Sequence, residues 1–139
     1  MLNKNTLSDA TATIKTLRDM CLKFRGERKW KGNAASFAKD IAVEAGELLD
    51  HFVWEEDAYL HNPEIAQEVK HELVDVLYGI LILSKILKID LSKTLQHKLA
   101  ILDKKYPAKK CLELKKDKDH IELRKWSRQR KKMFKVKQF

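Results

Sequence analysis

The chain has 139 residues, 44% of them hydrophobic and 35% charged, which suits one folded domain with a highly charged surface. Its longest apolar run, Leu73 to Leu87, includes Asp75 and Lys85 and is too short to span a bilayer, so we expect no membrane partner. The N-terminus carries no charged-then-apolar signal pattern. We therefore expect a soluble cytoplasmic protein whose cysteines are reduced.

The charge is distributed unevenly along the chain. The formal net charge is +9, but residues 104–139 hold fifteen of the 29 Lys and Arg residues and only four of the 20 Asp and Glu residues. The part of the chain before residue 104 is therefore slightly acidic. We expect an all-α domain over residues 1–107 and a basic, partly helical C-terminal extension over residues 108–139.

Helices are the expected secondary structure, because only four glycines and two prolines are present to form turns. Apolar residues recur at three- and four-residue steps, as they do along the buried face of a helix. Four helices are expected, at about 6–27, 34–54, 62–87 and 90–106. Thr6 or Ser8 is the predicted N-cap of the first helix. Asn62 before Pro63 is a strong start for the third, which we expect to lie centrally in a bundle or at an oligomer interface.

Two pairs of acidic residues interrupt the apolar stretches of the second and third helices. Glu44 and Glu47 are three residues apart, and so are Glu72 and Asp75. A spacing of three places both side chains of a pair on one face of a helix. If the two helices are neighbours, four carboxylates meet and repel each other, and a hard divalent cation such as Mg²⁺ or Mn²⁺ would remove that repulsion. The alternative is that these acids lie on solvated faces.

A glycine accompanies each acidic pair. Gly46 lies inside the second helix, where glycine costs about 1 kcal/mol relative to alanine, and close approach of another backbone is one reason to keep it. Gly79 lies one turn after Asp75 on the same face, where we expect it to leave open space beside the carboxylates.

No motif for a side-chain nucleophile is present, and His71-Glu72 lacks the second histidine of a zinc protease motif. Carboxylates without a nucleophile favour attack by water, whose pKa a bound cation lowers. Metal-assisted hydrolysis of a phosphoanhydride is therefore the predicted chemistry. Trp30 lies in a basic break between the first two helices. It is either a cap over the end of the core or a flat surface for a ring.

Several segments together resemble the MazG-like all-α nucleotide pyrophosphohydrolases, and most of all their dCTP pyrophosphatase branch. The resemblance covers roughly residues 15–107. The segments that carry it are Glu44-Ala45-Gly46-Glu47-Leu48, Phe52-Val53-Trp54, Glu72-Leu73-Val74-Asp75-Val76-Leu77, Lys98 and Lys105-Tyr106-Pro107.

This resemblance implies a four-helix MazG-like bundle that assembles as a homodimer or homotetramer. It also implies Mg²⁺-dependent cleavage of nucleoside triphosphates, dCTP among them, to a monophosphate and pyrophosphate in nucleotide pool housekeeping, with Mn²⁺ as a substitute cation. The implied site consists of the Mg²⁺ ligands Glu44, Glu47, Glu72 and Asp75 and of the substrate contacts Trp30, Trp54 and Lys98. We take Glu47 and Asp75 as the catalytic acids, and which acid acts as the general base stays open at this point.

Three positions depart from the family pattern and leave the preferred base open. Cys21 replaces an expected histidine, Gly79 an expected tyrosine and Leu102 an expected asparagine. A second hypothesis is a nucleic-acid-associated helical protein with weak or lost catalysis. It would bind through residues 108–139, where basic residues cluster around Trp126. The alternative for this segment is an extension that aids solubility or stabilises an oligomer.

Overall fold

The computed structural model describes residues 7–53 and 57–116, together with Lys125 and Arg128. All regular secondary structure in this part of the chain is helical, which confirms the predicted all-α class. The helices are α1 (Ile14–Glu27), α2 (Ala34–Asp50), α3 (Ala58–His61), α4 (Pro63–Ile86), α5 (Leu91–Lys105) and α6 (Ala108–Lys116). None of the described helices is long and apolar enough to cross a membrane.

The chain divides into two compact units after Leu91. Helices α1 to α4 belong to the first unit, and α6 with nearly all of α5 belongs to the second. The predicted boundary of the catalytic domain after residue 107 stays a prediction. The helix over Ala108–Lys116 lies in the region where a partly helical extension was expected.

The start of α1 differs from the prediction. The helix begins at Ile14, and the side chain of its N-cap Thr13 accepts a hydrogen bond from the Thr16 backbone N–H. Ser8 instead belongs to a preceding turn, in which its N–H donates to Thr11 Oγ1 at 3.1 Å. Short hydroxyl side chains compete in this way with helical hydrogen bonds. Thr6 lies outside the described residues.

Helix α2 begins as expected but ends early. Asn33 and Ser36 form reciprocal side-chain-to-backbone hydrogen bonds of 2.9 and 3.0 Å at its start, an arrangement that fixes the first turn. The predicted end at residue 54 is wrong, because the helix stops at Asp50 and continues into turns. The short helix α3 that follows was not predicted.

Helix α4 begins as predicted, with Asn62 as N-cap and Pro63 at the first helical position. It packs against α1, α2 and α3, which confirms its expected central place within the first unit. The buried hydrophobic side chains of the described chain include Leu81 and Ile82 of α4 and Phe37 of α2. These residues belong to the core of the first unit.

Candidate metal centre

The acidic residues meet where α2 lies against α4. Gly79 of α4 faces Ile41 of α2 so closely that a β-carbon at Gly79 would lie 2.6 Å from Ile41 Cγ1. Glu44 is one turn further along α2, while Asp75 is one turn back along α4. Because Glu44 and Asp75 also lie close together, the two helices run in opposite directions. The acids of one helix therefore lie opposite those of the other.

Three of the four predicted metal ligands converge. One carboxylate oxygen from each of Glu44, Glu72 and Asp75 lies within 4.8 Å of the others. Glu44 and Glu72 are half-buried, whereas Asp75 is exposed. Glu47 is exposed and does not belong to this group of three. The acidic cluster, as we call Glu44, Glu72 and Asp75, is thus open to solvent on one side.

Like charges dominate the electrostatics of this cluster. Burial, followed by the charges of Glu47, Asp75 and Glu72, raises the pKa of Glu44 above its ordinary value, and a hydrogen bond with Glu72 acts in the same direction. Within the described part of the chain, none of these four acids forms an ion pair with a basic side chain. Hard oxygen donors that repel each other and lack a counter-charge fit a divalent cation such as Mg²⁺.

Two glycine interpretations are wrong. Gly79 does not leave open space beside the carboxylates, because it is buried and Ile41 occupies that space. Gly46, which was expected to allow close approach of a backbone, has nothing within 4 Å of the position of a β-carbon among the described residues. Gly79 is therefore the closely packed glycine and Gly46 the open one, which is the opposite of the prediction.

Trp30 is held at the surface by the end of α1. Lys29 adopts a left-handed conformation with φ of 53°, and the Trp30 N–H donates to the Arg25 carbonyl at 3.1 Å. The Trp30 ring then contacts Phe24 edge-on, with ring centroids 5.7 Å apart, as is common where a left-handed residue ends a helix. Because 55% of Trp30 remains exposed, its ring is accessible to a ligand.

The other two predicted substrate contacts stay predictions. Trp54 lies outside the described residues. Lys98 is an exposed residue of α5, in the second unit. Cys21, at the position where the family pattern has a histidine, is half-buried in α1, and burial raises the pKa of its thiol. This thiol therefore stays protonated and is a poor metal ligand at neutral pH.

Sequence reasoning missed one interaction close to the acidic cluster. Nη1 of Arg25 donates to the hydroxyl of Tyr78 at 3.2 Å, which joins the last turn of α1 to α4. Tyr78 follows Asp75 by one turn. One indication was visible in the sequence, because Tyr78 is adjacent to Gly79, the position where the family pattern has a tyrosine. Its partner Arg25 could not be identified in this way, since it is 53 residues away in sequence.

No protein-family model matches the chain, and no curated protein matches it. Among solved structures, the chain is similar to a pyrophosphatase from Archaeoglobus fulgidus, with a TM-score of 0.62 and 25% sequence identity. The similarity covers 73% of this chain and 99% of the archaeal chain. The fold is thus that of an all-α pyrophosphatase. The archaeal structure agrees with the predicted superfamily and does not single out its dCTP branch.

Proposed function

We propose that this protein is a metal-dependent pyrophosphohydrolase whose active site is the acidic cluster. The observation that carries the proposal is the convergence of Glu44, Glu72 and Asp75 within 4.8 Å, on a fold similar to that of a pyrophosphatase. Clusters of unpaired acids with a raised pKa are typical of sites that bind charged ligands or perform chemistry. A purely structural helix pair has no need for them.

The three converging carboxylates would hold Mg²⁺, or Mn²⁺ in its place. When bound, the cation lowers the pKa of a water and neutralises phosphate charge. Glu47 lies on the same helix as Glu44, raises its pKa and does not belong to the cluster of three. Its exposed carboxylate is therefore the group that we assign to accept a proton from the attacking water. Asp75, the exposed member of the cluster, would hold the cation on the side that is open to the substrate phosphates.

The proposed substrate is a nucleoside triphosphate, dCTP among the candidates, cleaved between the α and β phosphates. Trp30 supports this assignment, because its exposed ring offers a surface on which a base can stack. Trp54 and Lys98 are proposed to contact the base and the phosphates, respectively. The reaction would belong to housekeeping of the cytoplasmic nucleotide pool.

Product analysis tests this proposal. The purified protein is incubated with each common dNTP and NTP in Mg²⁺, in Mn²⁺ and in EDTA, and the products are separated. We expect monophosphate and pyrophosphate in equal amounts, formed only when metal is present. Release of inorganic phosphate alone, or equal turnover in EDTA, would refute the proposed reaction.

Self-association is proposed as a further property of the functional protein. Large apolar side chains on α2 and α4 are more than half exposed in the single chain: Val43, Leu49, Leu73 and Val74. Large exposed apolar side chains can mark an interface, and a second copy of the chain offers the same side chains in return. We expect light scattering to give the mass of a dimer or tetramer, and Leu73→Glu to lower it. The control Leu7→Glu replaces a leucine that is 53% exposed and precedes α1. A monomeric wild-type protein would contradict this assignment.

Nucleic-acid binding is a second candidate function, favoured by the charge of the second unit. Residues 92–139 contain seventeen Lys and Arg residues and five Asp and Glu residues. The described lysines Lys93, Lys98 and Lys109 are exposed. Binding through these charges would fall steeply with salt. Deletion of residues 117–139 should then weaken retention of single-stranded RNA or DNA, and unchanged retention would refute this candidate.

A further inference from the structure

Arg25 occupies an unusual position at the end of α1. Its side chain is half-buried. Nη1 donates to the Tyr78 hydroxyl at 3.2 Å, and Nη2 donates to the Lys31 carbonyl at 3.1 Å. The two hydrogen bonds fix the plane of the guanidinium between α4 and the segment that follows α1.

Aromatic rings hold the same guanidinium from two further directions. Its central carbon lies 4.7 Å from the ring centroid of Phe37 and 5.9 Å from that of Trp30. A guanidinium has five N–H donors, so donors beyond the two bonds described above are available to a ligand. Within the described residues, Arg25 forms no ion pair with a carboxylate. It is therefore a rigidly held cation without a counter-charge.

Arg25 lies near the acidic cluster but does not belong to it. Phe37 precedes Glu44 by seven residues of α2, about 10 Å along a helix, whereas Tyr78 follows Asp75 by three residues of α4, about 5 Å. Since a sugar separates a base from its own triphosphate, a nucleotide whose phosphates meet the acids can place its base beside Arg25. Trp30, whose ring lies beside Arg25 and is more than half exposed, supplies a surface for stacking.

We propose that Arg25 determines base specificity, by donating hydrogen bonds to the carbonyl oxygen of a base that stacks on Trp30. This inference rests on the proposed function for the substrate class. Cytosine, thymine, uracil and guanine each carry a ring carbonyl, and adenine carries none. A guanidinium can donate a hydrogen bond to each of these carbonyl oxygens, and in guanine it can also reach N7, as arginine does in nucleic acids. The site therefore selects carbonyl-bearing nucleotides over adenine nucleotides. The Tyr78 hydroxyl acts through Arg25 and is a positioning group.

Arg28 provides a matched control. Its guanidinium also lies 5.9 Å from the Trp30 ring centroid. It differs from Arg25 because it is exposed, packs on Phe24 at 3.6 Å and lies 3.9 Å from a Glu27 carboxylate oxygen. Arg28→Lys thus makes the same substitution as Arg25→Lys beside the Trp30 ring without changing the fixed donors.

The test measures equilibrium binding of dCMP, dTMP, dGMP and dAMP by calorimetry in Mg²⁺, so that no turnover is needed. We expect the wild-type protein to bind the three carbonyl-bearing nucleotides about tenfold more tightly than dAMP, the effect of one hydrogen bond from a charged donor. Arg25→Lys and Arg25→Met should reduce this ratio to near one. Tyr78→Phe should reduce it by a few-fold, and Arg28→Lys should leave it unchanged.

Several results would overturn the inference. The first is a wild-type protein that binds no monophosphate or binds all four with equal affinity. The second is an unchanged preference for carbonyl-bearing nucleotides over dAMP in Arg25→Lys. The third is an equal loss of affinity for all four nucleotides in the Arg25 variants. The last result would mean that Arg25 binds phosphate or supports the fold. Failure of the proposed function appears separately, as absence of triphosphate hydrolysis while the preference in monophosphate binding persists.

Discussion

The two ends of the α2–α4 contact differ in what holds them together. At the packed end, Gly79 lies against Ile41, and Phe37 is buried. At the acidic end, one turn away, the carboxylates of Glu44 and Asp75 face each other without a basic partner among the described residues. Packing at the first end stabilises the helix pair, while charge repulsion at the second end opposes it. Stability and chemistry are thus assigned to different turns of the same two helices.

Neutralising one acid at the acidic end should give the largest effect. We expect Asp75→Asn to lower kcat/KM by about a hundredfold or more, since a catalytic cation contributes several kcal/mol to transition-state stabilisation. Glu47→Gln should have a similar effect if Glu47 accepts the proton. Circular dichroism should show the same helical content as in the wild type. The control Asp9→Asn changes an exposed acid before α1 and should retain full activity. Near-normal activity of Asp75→Asn would refute the site assignment.

The same substitution at the two glycines should have opposite effects on stability. Gly79→Ala at the packed end should lower the free energy of unfolding by about 1–3 kcal/mol, because its β-carbon would lie 2.6 Å from Ile41 Cγ1. Gly46→Ala at the acidic end meets no atom within 4 Å in the described structure. It should raise the free energy of unfolding by about 0.5–1 kcal/mol through helix propensity. Urea denaturation measures both values.

The outcome at Gly46 also bears on assembly. If Gly46→Ala destabilises the protein, a second copy of the chain approaches that backbone in solution. If Gly79→Ala does not change the free energy of unfolding, the packing at this end is loose enough for Ile41 to move away from an added β-carbon.

The pH dependence of stability should show a smaller effect at the acidic end. The pKa of Glu44 is raised in the folded state, so its contribution to stability is present below the pKa of the unfolded chain and is lost as the pH rises through the folded-state pKa. In EDTA, the wild type should therefore lose stability relative to Glu44→Gln as the pH rises above the ordinary pKa of a glutamate, about 4.3. Mg²⁺ should reverse this order by stabilising the wild type more than Glu44→Gln, which binds the cation more weakly. Parallel pH profiles of the two proteins would contradict the repulsion.

Much of this fold followed from local sequence signals. The start of α4 at Asn62 and Pro63 and the all-α class depend on capping and periodicity, which neighbouring residues determine. The two acidic pairs were also visible, because their spacing places each pair on one helical face. How the pairs meet depends on the contact between α2 and α4, and the structure brings three of the four acids together.

The features that the sequence did not predict depend on contacts between distant residues. The environments of Gly46 and Gly79 were interpreted the wrong way round, because only the packing of α2 on α4 determines which glycine is covered. The hydrogen bond between Arg25 and Tyr78 likewise requires α1 to lie against α4. The early end of α2 at Asp50 reflects turns that compete with a helix whose apolar pattern continues further.

Titration of the metal-free protein with Mn²⁺ decides whether the acidic cluster binds a cation. We expect saturable binding by the wild type and by Asp9→Asn. The Kd should be at least about tenfold weaker for Glu44→Gln, Glu72→Gln and Asp75→Asn, since each removes one charged oxygen donor. Equal binding by all five proteins, or no binding by the wild type, would contradict the claim that this cluster is a metal centre.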